Sequence, residues 1–523
     1  MTGSPTWAEP WAVHEDEHVL VVAKPAGVNT HRADVHAQDG MYEWVQRQRP
    51  DVALSIVHRL DKVTSGVLVF GKTAVANRSL TRQFEERTVA KAYDLVTTRD
   101  DPPASAQTAQ PIDGAAASTA FERRATGAVH HRYVATPHSG RTHQVRIHAE
   151  ALGLPITGDV GHGGREAPRV YLHAGSIAFD HPEGGRRTYE VAAPPSFDDL
   201  VAGRGSPLGP AARFAAAHES RAALFDPADT DAYLWVDRDH DGFADLRIER
   251  LGRVALVLDY RDAEPDLPSG WIDGLHDTLD LDAVYVQHRP RGGGGGIARR
   301  VSGEAGPTFD VSESGVRYRI DLSASPTSSG LFLDQRETRR EILRTDLTGT
   351  TVLNTFAHTG ALSVAAALAG AETLTLDLSK HYLDWARENL RGNDIDPAAH
   401  DFIYGDAMEW MTRLAKKGRT FDLVLVDPPT SSTARKGSKR WTVGRDLHDL
   451  VTRAAMLCAP GGRVYVSTNF RKMQWPAFLD HVARGLDAAG RVGEVDTRTL
   501  PLDHRSGPGD PPYLKGAWIR LDG

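Results

Sequence analysis

The chain has 523 residues, with 61 Lys and Arg against 69 Asp and Glu, a formal net charge of −8, and 40% hydrophobic and 25% charged residues. That length allows three domains, and the composition is globular, which excludes a fibrous or low-complexity chain. A single cysteine, Cys458, excludes an internal disulfide and a cysteine-rich zinc site, no run of roughly 18 apolar residues offers a membrane span, and mild acidity weighs only slightly against a nucleic-acid partner.

The opening MTGSPTWAEPWAVHEDEHVL lacks a basic start followed by an apolar run, so no export is predicted. A cytoplasmic protein with no membrane partner and no metal is expected. From Trp11 to about Pro195 the short β-like runs HVLVVAKP, SIVHRLD, GVLVFGK, KAYDLVTT, ASTAFERR and YVATPHSGRTHQVRIHAE are separated by Gly, Pro, Asp and Ser. This is a mixed α+β or mostly antiparallel pattern. Within it, Asp61 of HRLDKVTSGVLVF follows the apolar Ser55-Ile56-Val57 and precedes a turn-forming Thr64-Ser65-Gly66, with Val67 to Phe70 reading as a buried strand. Alone, such an aspartate reads as turn chemistry.

In PPSFDDLVAGRGSPLGP the pattern lapses into Pro, Gly and Ser, a linker composition. Beyond it a helix-like RFAAAHESRAALF leads into the strand-like AYLWV, RVALVLDY and AVYVQHR. The tract RPRGGGGGIARR then reads as a flexible basic loop, either solvated or in contact with RNA. After Tyr318 strands and helices alternate regularly, which predicts a doubly wound, Rossmann-like parallel sheet. The expected organisation is therefore multidomain: 1–200, a linker over 201–212, a small α+β region over 213–317, and an α/β domain over 318–523. A cut between Gly203 and Pro210 is expected to release two soluble fragments.

In a doubly wound sheet ligands sit beyond the carboxyl ends of the strands. Here those ends carry Asn354, Phe356, His358, Thr359 and Gly360 after the first strand, Asp377 and Leu378 after the second, Asp406 after the third, and Asp427-Pro428-Pro429-Thr430 after the fourth. Each aspartate alone could be a helix N-cap. Together the four strand ends point to a nucleotide-like cofactor, with Gly360 allowing close backbone approach and Asp377 suited to ribose hydroxyls.

These residues, with GLFLDQRETRR, DLSKHYLDWARENL and DPPT, resemble the class I S-adenosylmethionine-dependent methyltransferases, and among them the 23S rRNA methyltransferases, nearest the guanine-N7 lobe of the bacterial K/L enzymes. The resemblance implies S-adenosyl-L-methionine as cofactor, with Asp377 on its ribose, Asp406 near its adenine, and Asp334 and Arg336 framing the site. It also implies that Asp427 to Thr430 and Ser467 to Phe470, Asn469 included, line the target base.

The HRLDKVTSG stretch, with Lys24-Pro25-Ala26-Gly27, Lys91-Ala92-Tyr93, GRTHQVRIH, LPITGD and Leu172-His173-Ala174 in that order, resembles the RluA-type pseudouridine synthases. The chemistry calls for a carboxylate at the anomeric carbon, able to stabilise positive character or form an adduct, and a cation to aim it. The resemblance assigns these roles to Asp61 and Arg146. Tyr93 would pack on the uracil or move a proton, and Arg59 and Arg141 would hold RNA around a flipped base. Ordinary phosphate binding for Arg59 and Arg146, and a core role for Tyr93, remain the plainer alternatives. The expected protein is a bifunctional RNA-modifying enzyme acting on 23S rRNA, with tRNA second for the synthase half. The alternatives are one half serving only as an RNA-binding module, or methylation at cytosine C5 or an exocyclic amine.

Overall fold

Aliphatic runs set the first sheet. Val19–Lys24 and Ser65–Gly71 pair antiparallel with nearly every residue buried. They lie in a ten-stranded sheet whose spatial order is Ala12–Glu15, Val19–Lys24, Ser65–Gly71, Leu172–Asp180, Ala90–Thr98, His130–Pro137, Thr119–Thr126, Ser105–Thr108, with Ser55–Ile56 and Arg186–Glu190 pairing off this path. The computed structural model describes residues 9–523 apart from 205, 263–265, 291–294, 326–327, 431–440 and 508–509, so part of the basic glycine tract lies outside the described residues.

Two local differences from the sequence reading bear on the site. Ser65 and Gly66 are strand residues, not a turn, because Ser65–Gly71 pairs in parallel with Leu172–Asp180 through them. Gly66 has φ 120°, and a Cβ there would lie 2.2 Å from the Ala174 carbonyl oxygen, so this close pairing requires glycine. The stretch QVRIHAEA, read as the end of a β-like run, forms the helix Gln144–Ala151, which buries Gln144, Val145, His148 and Ala149. Those positions make one helical stripe.

The irregular linker is shorter than expected, since the helices Ser196–Val201 and Pro210–Ala222 leave only 202–209 between them. A five-stranded sheet follows in the order Ala232–Asp237, Leu246–Leu251, Val254–Asp259, Ala283–His288, Arg299–Gly303. Its next element, the hairpin Thr308–Glu313 with Val316–Asp321, runs across the expected boundary at 317.

The last sheet has seven strands in the order Asp401–Tyr404, Glu372–Asp377, Thr351–Thr355, Phe421–Val426, Cys458–Thr468, Lys515–Leu521, Gly493–Arg498. Lys515–Leu521 is antiparallel to both its neighbours, and the remaining pairings are parallel. The strand order reverses between Thr351–Thr355 and Phe421–Val426, which opens a ligand crevice at their carboxyl ends.

The expected independence of the halves is not what the packing shows. One hydrophobic cluster takes in Trp44, Val45 and Leu60, then Phe214 and Trp235, and finally Leu502. Gln38 Nε2 donates to the carbonyls of Pro501 and His504 at 2.7 and 2.8 Å, and Trp44 Nε1 donates to Glu337 at 3.1 Å. Among the described residues no helix is long and apolar enough to cross a membrane.

Candidate functional site

The first site is a cleft of about 1040 Å³ lined by Arg59, Asp61, Lys91, Tyr93, Arg141 and Arg146. Asp61 stands in the irregular segment before Ser65–Gly71, tied by the Thr64 amide donating to its carbonyl at 3.1 Å. Its carboxylate receives Arg146 Nη1 at 3.5 Å, and His143 Nε2 lies 3.9 Å away. Arg146 projects from the helix Gln144–Ala151, and its other nitrogens bind Asp159 in bidentate fashion, Nε to Oδ2 at 2.6 Å and Nη2 to Oδ1 at 2.7 Å. Gln144 fixes the turn before that helix, accepting from Ser139 Oγ and the Arg141 amide and donating to the Ser118 carbonyl.

Tyr93 lies in Ala90–Thr98, its ring between two apolar clusters. Burial first, and the charge of Asp61 second, push its phenol well above the ordinary range, so it stays protonated. His58 is a neutral anchor: its Nε2 accepts from the Val69 amide at 3.0 Å, its ring stacks on Phe84, and burial pushes its pKa down to about 3. Lys91 Nζ donates to the Ser139 carbonyl at 2.9 Å, with its pKa lowered by burial. Arg59 and Arg141 are exposed at the rim.

The second site is the crevice of the parallel sheet. Asp377 ends the second strand, its Oδ2 accepting from the His358 amide and its Oδ1 from the Ser379 amide, both at 2.8 Å. Burial raises its pKa. Phe356 and His358 adopt left-handed backbone angles, φ 55° and 51°, the kind of strain that gathers at ligand sites. The His358 ring lies between Phe332 and Tyr382, at 4.7 and 4.3 Å, burial lowers its pKa to about 4, and its Nε2 is buried without a hydrogen-bond partner among the described residues. Gly360, φ 74°, opens the helix Ala361–Leu368, and Leu378 is exposed. An orphaned ring nitrogen, a strand-end carboxylate with lone pairs to spare and an exposed apolar residue suit a nucleoside-bearing cofactor.

Asp427 ends the fourth strand and accepts from Ser467 Oγ at 2.6 Å. Burial, and then the nearby Asp334 charge, push its pKa up to about 6. Gln335 Nε2 donates to Ser467 Oγ at 3.2 Å, and Tyr465 donates to Gln335 Oε1 at 2.9 Å. Pro429, Thr430 and Asn469 are exposed beside this network, and Pro428 is buried.

Of the expected cofactor residues Arg336 turns away from the crevice, and others take structural partners beside it. Arg336 does not frame the crevice: fully buried, it donates to Asp503 at 2.7 Å and to the Ala232 carbonyl at 2.9 Å, with Glu313 at 3.3 Å. A buried guanidinium needs such partners, and they hold it inside the protein. Asn354 is buried with its amide on Ser363 Oγ, and Thr359 is buried with its hydroxyl on the Gly330 carbonyl, so both brace the loop from behind. Asp406 caps the helix Ala407–Lys416 by accepting from the Glu409 amide at 3.0 Å, and Asp334 is half-buried near Asp427. Sequence reasoning gave no role to Asp159, Lys91 or Gln335. Each lay inside a stretch already singled out, LPITGD, Lys91-Ala92-Tyr93 and GLFLDQRETRR.

The chain thus carries a carboxylate–arginine–tyrosine cleft on a mixed sheet and a strand-end crevice on a doubly wound sheet. The family model for RNA pseudouridylate synthase matches residues 18–151, and that for S-adenosylmethionine-dependent methyltransferase matches residues 280–496. The chain is 32% identical over 299 residues to the "Putative ribosomal RNA large subunit methyltransferase YwbD" of Bacillus subtilis, covering 55% of this chain and 74% of that protein. It therefore belongs to that S-adenosylmethionine-dependent methyltransferase family and carries a pseudouridine synthase domain in the same polypeptide. The ribosomal RNA large subunit methyltransferase K/L of Shewanella loihica is 34% identical over 211 residues, 40% of this chain but only 28% of that enzyme. The solved structure of SMU.776, "a putative methyltransferase complexed with SAH", shares the fold with a TM-score of 0.55 at 23% identity, covering 66% of this chain and 87% of that one.

Proposed function

We propose that the protein isomerises uridine to pseudouridine in its first site and methylates guanine N7 in its second, both in RNA and with 23S rRNA as the preferred substrate. The observation that carries the first activity is the Asp61–Arg146–Tyr93 cleft. Asp61 acts at C1′ as the bond to N1 breaks; the uracil turns, C5 bonds to C1′ as the carboxylate departs, and the C5 hydrogen leaves as a proton while N1 gains one, with no net redox change and no co-substrate. Arg146 aims the carboxylate, neutral Tyr93 packs on the base, and Arg59 and Arg141 at the rim take up backbone and gap around the extruded nucleotide.

In the second site, Asp377, the His358 ring and Leu378 would hold S-adenosylmethionine, which supplies an electrophilic methyl group when bound. Asp427, Thr430 and Asn469 would orient the base. Guanine N7 presents its own lone pair and needs only positioning, whereas cytosine C5 needs a thiolate adduct at C6. The sole cysteine lies away from this crevice, and the relatives named for rRNA support the RNA substrate, not the choice of atom. An exocyclic amine is the second reading, favoured by the carbonyls of the Pro428-Pro429 turn.

The test is paired. Asp61→Asn should abolish pseudouridine formation and spare methyl transfer. Asp377→Ala should weaken cofactor binding by roughly 1.5–3 kcal/mol, the worth of charge-assisted hydrogen bonds, and spare isomerisation. Modified nucleosides mapped by mass spectrometry in a deletion strain complemented with each variant would name both bases, and loss of both activities in either variant would contradict separate sites.

A further inference from the structure

The connection between the methyltransferase strands Gly493–Arg498 and Lys515–Leu521 leaves its own sheet and reaches the synthase. Its root is fixed on the methyltransferase side: Asp503 accepts from Arg336 Nη1 at 2.7 Å and from the Leu234 amide at 2.9 Å, and its carbonyl accepts from Arg221 Nε at 3.1 Å. Two residues further on, Arg505 Nη2 donates to the carbonyl of Ala26 at 3.3 Å and to Ser220 Oγ at 2.9 Å, while Nη1 donates to the Leu502 carbonyl at 2.9 Å. Lys62, next to Asp61, donates from Nζ to the Ser506 carbonyl at 3.1 Å.

On the synthase side these contacts land on one unit. The Gly27 amide donates to the Lys62 carbonyl at 2.8 Å, and buried Lys24 donates from Nζ to the carbonyls of Pro25, Val28 and Lys62 at 3.0, 2.7 and 3.4 Å. Residues 24–28 and the Asp61–Lys62 segment are thereby closed on each other, and Arg505 and Ser506 hold them from outside. The acceptors around the buried Arg505 guanidinium are neutral oxygens on separate elements. Burying a guanidinium against neutral oxygens is costly, and its rigid fork gains geometric definition among them. Burial and then the Arg221 charge lower its pKa to about 9.

We propose that Arg505, a residue of the methyltransferase half, is a positioning residue for the pseudouridine synthase, holding the Ala26 turn and through it the Asp61 segment. The inference rests on the reading of Asp61 as the catalytic carboxylate. It makes isomerisation depend on a side chain 479 positions from its contact in the synthase.

The experiment uses full-length Arg505→Met, Arg505→Lys and Gln38→Leu, the last loosening the same segment through Pro501, His504 and Ser506. The substrate is total RNA from a strain lacking the gene. For Arg505→Met, kcat for pseudouridine formation should fall about tenfold or more, as loss of alignment does, with KM nearly constant and methyl transfer retained. Arg505→Lys should recover part of kcat. Unchanged kcat in Arg505→Met overturns the proposal, as does a fall shared equally by methyl transfer in a protein with native circular dichroism. If Arg505→Met does not fold, Gln38→Leu decides: a selective fall in isomerisation supports the proposal and an unchanged rate overturns it. Asp61→Asn run in parallel separates the two failures, since full activity there removes the reading of Asp61 whatever Arg505 does.

Discussion

Arg146 grips both oxygens of Asp159 and turns only Nη1 toward Asp61, at 3.5 Å. Asp159 is buried, and its hydrogen bonds are the main cause raising the pKa of Arg146, so the guanidinium is a fixed cation whose orientation Asp159 sets. The contact to Asp61 is the looser of the two, which on the proposed reading leaves Asp61 room to engage a sugar carbon.

Asp159→Asn should therefore lower pseudouridine formation sharply while leaving methyl transfer intact, because one nitrogen of the fork would face an amide donor. Asp159→Ala should in addition destabilise the fold by about 3–5 kcal/mol, the usual result of stripping one partner from a buried pair. Thermal denaturation and isomerisation rates measured on the same preparations check both. Normal isomerisation in Asp159→Asn would mean that Arg146 is aimed by other contacts.

Asp427 supplies a pH dependence with opposite signs in two readouts. Its pKa in the fold is about 6 against an ordinary 3.8, with burial the largest cause. The folded state thus binds the proton more tightly, so this group's contribution to stability is fully present below about pH 4 and is lost as pH rises through 6. Methyl transfer should run the other way, falling as pH drops through about 6, because protonation disturbs the carboxylate that receives Ser467. Asp427→Asn should remove this group's part of the stability slope between pH 4 and 6. A flat transfer rate across that window would contradict the role of the ionised carboxylate.

Much of this was legible in the sequence because it is local. Asp61, Tyr93 and Arg146 belong to short ordered motifs, and alternating strands and helices announce the second sheet with Asp377 and Asp427 at its strand ends. The helix Gln144–Ala151 was misread because QVRIHAEA follows a strand and its few apolar residues fit either period. Arg336 was misassigned because sequence cannot show that Asp503, 167 positions away, takes its guanidinium inward. Many contacts joining the halves span hundreds of residues, and those of Gln38, Lys62 and Arg505 to the other half include backbone carbonyls, which carry no side-chain signature.

Those contacts revise the expectation about severed halves. A chain nicked between Gly203 and Pro210 should stay associated, since Trp44, Phe214, Trp235 and Leu502 share one apolar cluster and Gln38, Lys62 and Arg505 bridge the two sides. Expressed alone, each half would expose that surface and aggregate. Size-exclusion chromatography after cleavage at an inserted protease site would read this out. Two well-behaved monomers would show that the interface is dispensable.

The fate of Cys458 separates guanine N7 from cytosine C5. Methylation at C5 needs a thiolate poised to add to C6 of the base. Cys458 begins the strand Cys458–Thr468 and pairs with Phe421 at the start of Phe421–Val426, whereas the crevice lies at the far ends of these strands, beyond Val426 and Val466. The thiol donates to the Arg463 carbonyl at 3.4 Å and is buried, and burial pushes its pKa up to about 12. It is a packed thiol, neither ionised nor within reach of a base held beside Asp427. Cys458→Ser should leave methyl transfer from labelled cofactor within a factor of about two, with a stability loss of roughly 1 kcal/mol from placing a hydroxyl in an apolar niche. Digestion of the labelled RNA should yield 7-methylguanine. Recovery of 5-methylcytosine, or loss of transfer in a folded Cys458→Ser protein, would return the methyl group to pyrimidine C5.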